Sequence, residues 1–93
     1  MKKLRRLLTN PYTGQLQMST LYEYHAKVGT TASTIIWLLK PAKKGEVIYG
    51  YIEEDRYTPY MKGHAFRYAD TTRLQITDIR LDEYGEFVYV NKL

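Results

Sequence analysis

The stretch Ser19–Lys40, STLYEYHAKVGTTASTIIWLLK, decides how the fold is read. Leu21, Tyr24, His25 and Val28 recur at the three-and-four spacing of one helix face. Thr20 and Glu23 stand as a capping box, the hydroxyl accepting a bond from the Glu23 amide while the carboxylate reaches back. Gly29 is placed to stop that helix in a left-handed conformation. Thr31 then caps a second short helix through Ala32 to Leu39, which Pro41 ends by disfavouring helical geometry at Lys40. The second segment is rich in β-branched residues, so packing must hold it.

Outward from this stretch, 93 residues predict one domain with a thin core. It divides into a basic arm and two-helix half over 1–45 and an antiparallel β half over 46–93. Ten tyrosines suit half-buried sheet faces, or a sticky surface for nucleic acid or protein. The lack of cysteine excludes a disulfide scaffold and thiolate metal sites, and fits an intracellular, cytoplasmic protein. No run approaches the ~20 apolar residues of a membrane span, and no signal-peptide core follows MKKLRRLL. No membrane partner is expected.

The net charge is +4, from 14 basic and 10 acidic residues, and it is unevenly placed. Lys2, Lys3, Arg5, Arg6, Lys40, Lys43 and Lys44 fall in the first half, against Glu23. Glu46, Glu53, Glu54, Asp55, Asp70, Asp78, Asp82, Glu83 and Glu86 fall in the second. Anionic partners are therefore expected on the helical half, although dispersed cations also make an ordinary solvated face.

Along the chain, residues 3–8 and 15–18 are read as a hairpin around the Asn10-Pro11-Tyr12-Thr13-Gly14 turn. Lys43-Lys44-Gly45 is a turn, and Glu46–Ile52 a strand whose Gly50 marks a bulge or a close approach. Pro59 restricts residues 56–60 to an edge strand, and 64–68 follow as a possible partner. Leu74 and Ile76 share one phase, Ile79 and Leu81 the other, which places a bulge near Thr77-Asp78. Asp82-Glu83-Tyr84-Gly85 then turns the chain into a last strand over 86–91.

The phrase EYHAKVGTTASTIIWLL resembles the helix-turn-helix of small phage and bacterial DNA-binding regulators. Gly29 sits at the turn, Thr31, Ser33 and Thr34 open the second helix, and Ile35 and Leu38 follow six and nine places after the glycine. The resemblance covers about a quarter of the chain. It implies an α+β fold, a short helix-turn-helix followed by a small antiparallel sheet in the winged-helix manner. It also implies a cytoplasmic transcription regulator that binds double-stranded DNA. Thr31, Ser33, Thr34 and Lys40 would approach base edges, and Lys2, Lys3, Arg5, Arg6, Lys43 and Lys44 would contact phosphates. The chain departs from the pattern at Thr30, where an aliphatic residue is usual.

Ile36 and Trp37 fall on the face that should read DNA, which is poor chemistry for it. They are core residues or, in the alternative reading, part of a surface with Tyr49 and Tyr51 through which a phage-encoded inhibitor holds a host or defence protein. A homodimer is compatible with either. His25 and His64 lack acidic partners at useful spacing, and Glu53-Glu54-Asp55 lacks the spacing of a calcium loop. No catalytic residue, metal or cofactor is therefore assigned, and the protein is read as non-enzymatic.

Overall fold

The computed structural model describes residues 2–30, 32–53, 71–83 and 85–93. Among them the chain forms six strands and no helix. These are β1 (Lys2–Thr9), β2 (Leu16–Val28), β3 (Ser33–Leu38), β4 (Val47–Ile52), β5 (Thr72–Asp82) and β6 (Gly85–Lys92). The α+β, winged-helix-like expectation is thereby corrected to an all-β fold.

Both segments expected as helices are strands. Residues 21–28 satisfy two periods at once. Tyr22, Tyr24, Ala26 and Val28 alternate with Glu23, His25 and Lys27, which is the period of a strand. A single helix of this length is marginal in water, so pairing partners elsewhere in the chain decide between the two periods. Thr34, Ile35, Ile36 and Trp37 in β3 are residues that pack well on a pleated surface. The two residues of the expected capping box do other work. Thr20 accepts a bond from Arg5 Nη1 at 3.0 Å, and Glu23 accepts one from Trp37 Nε1 at 3.1 Å. Gly29 does adopt the left-handed conformation (φ 59°), but it turns β2 into β3.

Strands β2 to β6 run as an antiparallel meander. A meander of five strands leaves its first and last members pointing the same way, so closing it requires a parallel pair. The pair is His25–Val28 of β2 with Phe87–Val90 of β6. The result is a small closed barrel. Its interior holds Tyr24, Ala26, Val28, Ile36, Leu38, Ile48, Leu74, Ile76, Val88 and Val90. The expected bulge is present as a register shift between Ile76 and Asp78, and it carries Ile79 onto the core side.

The N-terminal half of β2 runs on beyond the barrel and pairs with β1, from Lys2↔Glu23 to Thr9↔Leu16. One face of this ribbon folds onto the outside of the barrel wall. Leu8 and Leu21 bury Trp37 and Tyr51 there, supported by Leu4, Ile35 and Leu39. Trp37 is fully buried by its own chain. Gly50 is a close approach, since a Cβ there would lie 2.7 Å from the Trp37 carbonyl oxygen and 2.8 Å from Leu38 Cδ2. The expected strands at 56–60 and 64–68, His64, Pro59 and the acidic Glu54 and Asp55 lie outside the described residues.

Two outcomes follow. Gly50→Ala should destabilise the fold by about 1–3 kcal/mol through overpacking, read as a lowered urea midpoint at unchanged slope. Trp37→Ala should cost about 3–5 kcal/mol through the cavity it leaves, measured in the same way.

Candidate nucleic-acid interface

The β1–β2 ribbon has two chemically distinct faces, because cross-strand neighbours share a face and successive residues alternate. Leu4 and Leu8 of β1 and Ser19 and Leu21 of β2 lie on the face turned to Trp37. The other face carries the pairs Lys3↔Tyr22, Arg5↔Thr20, Leu7↔Met18 and Thr9↔Leu16. Lys3, Arg5, Leu7, Leu16 and Met18 are all exposed on it. No acidic residue occurs from residue 2 to residue 22. This face of the ribbon therefore presents cations and apolar side chains together, with no carboxylate among its own residues.

Its geometry is held from both ends. Lys3 Nζ lies 5.6 Å from the centre of the Tyr22 ring. At the far end, the loop over 10–15 folds back onto the barrel. The Tyr49 amide donates to the Tyr12 hydroxyl at 3.1 Å, and the two rings meet edge to face at 5.1 Å. Lys40 Nζ sits over the Tyr12 ring at 4.4 Å. The loop after β3 is tied down by its Ala42 amide, which donates to the Tyr24 hydroxyl at 2.8 Å. Burial, with a smaller contribution from the nearby Glu86 charge, holds the Tyr24 phenol above its ordinary pKa.

The structure brings some of the sequence-predicted residues together and separates others. Lys3 and Arg5 share the exposed ribbon face. Arg6 lies on the opposite face, half-buried, and donates to the Arg5 carbonyl oxygen at 2.8 Å. Lys2 stands at a cleft of ≈ 600 Å³ where β2 changes partner from β1 to β6, beside Glu23, His25 and Glu86. Lys40 and Lys43 are exposed, and Lys44 Nζ is 3.6 Å from Asp78 Oδ1. Asp78 also accepts from Arg80 Nε at 3.0 Å, which is the main reason its carboxyl is held below the ordinary range.

Ser33 and Thr34 were expected beside Lys40 on one recognition helix. In an extended strand they stand at the end of β3 away from Lys40, roughly 13–17 Å from Leu38 at ~3.3 Å per residue. The Thr34 hydroxyl donates to the Glu53 carbonyl oxygen at 2.6 Å. Thr31 lies outside the described residues. Of the alternative protein-binding set, Ile36, Trp37 and Tyr51 are buried, and Tyr49 is half-buried against Tyr12. The residues that sequence reading missed are Leu7, Leu16, Met18 and Thr20. Two signals pointed to them, the unbroken lack of acid through residue 22 and the alternation that sets two leucine faces apart.

No family model matches this chain, and no curated protein or solved structure matches it. Among the described residues no helix is long and apolar enough to cross a membrane, and no three His, Cys, Asp or Glu side chains gather as a metal site.

Tyr24→Phe should loosen the 40–44 loop and cost about 1 kcal/mol at neutral pH. Because the folded phenol titrates above the unfolded one, its contribution is complete below the ordinary tyrosine range and is lost as pH rises past it. The variant should therefore flatten the alkaline fall in stability, measured as urea midpoints between neutral and alkaline pH.

Proposed function

We propose that this protein is a non-enzymatic binder of double-stranded DNA that engages the duplex through the exposed face of its β1–β2 ribbon. One observation carries the reading. A two-stranded ribbon exposes Lys3 and Arg5 on one face beside the half-buried Thr20, with no acid among residues 2–22, while its other face is committed to the barrel. A two-stranded ribbon is a recognised way to present side chains to duplex DNA without a helix. Lys3 and Arg5 meet phosphates, and Lys40 and Lys43 extend the positive field from the neighbouring loop. Ser33 and Thr34, at the far end of β3, take no part.

The alternative of a host or defence protein held through Ile36, Trp37 and Tyr51 loses its anchors, since all three are covered by their own chain. A homodimer through the edge of β1, which is unpaired among the described residues, would bring Lys2, Lys3, Arg5 and Arg6 of two copies together, an arrangement that charged edges oppose.

Fluorescence anisotropy on labelled duplexes across a salt series tests the proposal. Affinity should fall steeply with salt, and Lys3→Ala and Arg5→Ala should each reduce the log–log slope by about 0.9. Ser33→Ala should leave binding unchanged. Absence of duplex binding at low salt, or equal binding by the Lys3→Ala, Arg5→Ala double variant, would sink the reading.

A further inference from the structure

The exposed ribbon face is not uniformly polar. Leu7 and Met18 are direct cross-strand neighbours, and Leu16 follows on the same face opposite Thr9. They are 37 %, 51 % and 59 % exposed, so three large apolar side chains form one patch on the part of the ribbon nearest its loop. In a chain with so small a core, leucine and methionine are better used inside, and a contiguous exposed patch of this kind marks a contact surface. The patch adjoins the Arg5–Thr20 and Lys3–Tyr22 pairs, so whatever covers it must also welcome two cations.

Resting on the DNA reading above, we propose that Leu7, Leu16 and Met18 form an apolar wedge that enters an opened minor groove and kinks the duplex. Lys3 and Arg5 hold the flanking phosphates. The choice of groove follows from the chemistry. In the major groove, ~12 Å wide, a ribbon enters without deforming the DNA, but its apolar side chains would find little beyond thymine methyl groups. The minor groove, ~6 Å wide, cannot take a ribbon whose strands alone are ~4.8 Å apart unless it opens. Opening it by unstacking one base step supplies an apolar surface of the kind that leucine and methionine wedges fill, and bends the helix axis toward the major groove. The patch has the right residues for that role, and the adjacent cations, both on β1, hold the backbone ridge beside it. Thr9 and Thr20, on the same face, are short enough to let the wedge advance between them.

The full-length chain is tested against a duplex of about 30 base pairs, a length over which a bend is measurable. The duplex carries a donor and an acceptor at its two ends, and anisotropy on a singly labelled copy reports occupancy. At saturation, energy transfer should rise. A duplex with a central mismatch, already partly unstacked, should bind several-fold tighter than the matched one. The double variant Leu7→Ser, Met18→Ser should still bind, through Lys3 and Arg5, but with the rise in transfer abolished. Leu16→Ser alone should reduce it, and buried Trp37 fluorescence checks that each variant is folded. Saturable, salt-sensitive binding with unchanged energy transfer overturns the wedge and leaves the DNA reading standing. No duplex binding at low salt overturns both. Capture by phosphatidylglycerol vesicles, lost in the same double variant and without any bending of DNA, assigns the patch to a lipid surface and also overturns the proposal.

Discussion

The hydrogen bonds between His25–Val28 of β2 and Phe87–Val90 of β6 are the constraint on which the rest of the molecule depends. Four residues from each strand convert an open meander into a closed barrel and give both terminal members of the meander a partner. They also use up only four of the 13 positions along one edge of β2. Residues 16–23 on that edge are left to β1, so the two strands β1 and β6 share a single edge end to end. The ribbon exists because β2, at 13 residues, is longer than the barrel wall it contributes to.

Closure also sets which sides of the wall need cover. The inner side fills with aliphatic residues and Tyr24, as a barrel of few strands must. The outer side of β3 and β4 carries Trp37 and Tyr51, too large and apolar to leave in water. The ribbon's Leu8 and Leu21 meet that demand. Trp37 in turn fixes its neighbourhood. Its carbonyl oxygen leaves no room for a side chain at residue 50, and its indole N–H engages Glu23, the residue opposite it in register. Committing one ribbon face to Trp37 is what leaves the other face, with Lys3, Arg5, Leu7, Leu16 and Met18, turned outward.

Much of the second half was legible in the sequence. The phase slip at Leu74, Ile76, Ile79 and Leu81 announced the bulge. Asp82-Glu83-Tyr84-Gly85 announced the final hairpin, and Gly50 stood out as a bulge or a close approach, the latter being what β3 imposes. The first hairpin was legible too, though its second strand was cut short at Met18. The segment after it was misread because Leu21, Tyr24, His25 and Val28 fit a helix while Tyr22, Tyr24, Ala26 and Val28 fit a strand. Over eight residues, local spacing alone does not separate the two. The basic residues of the candidate site were visible as composition, but their grouping was not. Lys3 and Arg5 parted from Arg6 by alternation, and Ser33 and Thr34 parted from Lys40 because a strand is more than twice as long per residue as a helix.

By itself, the sequence determined the turns, the bulge and the charge asymmetry, because each depends on a few adjacent residues and their backbone preferences. Tertiary structure decided that residues 19–28 and 33–38 are strands, since β2 and β3 pair with each other and with β1, β4 and β6, and those hydrogen-bonding partners make an extended backbone cheaper than a short helix. It also decided what covers Trp37, and through that which face of the ribbon is left to meet a partner. Both depend on contacts between residues that no local pattern brings together.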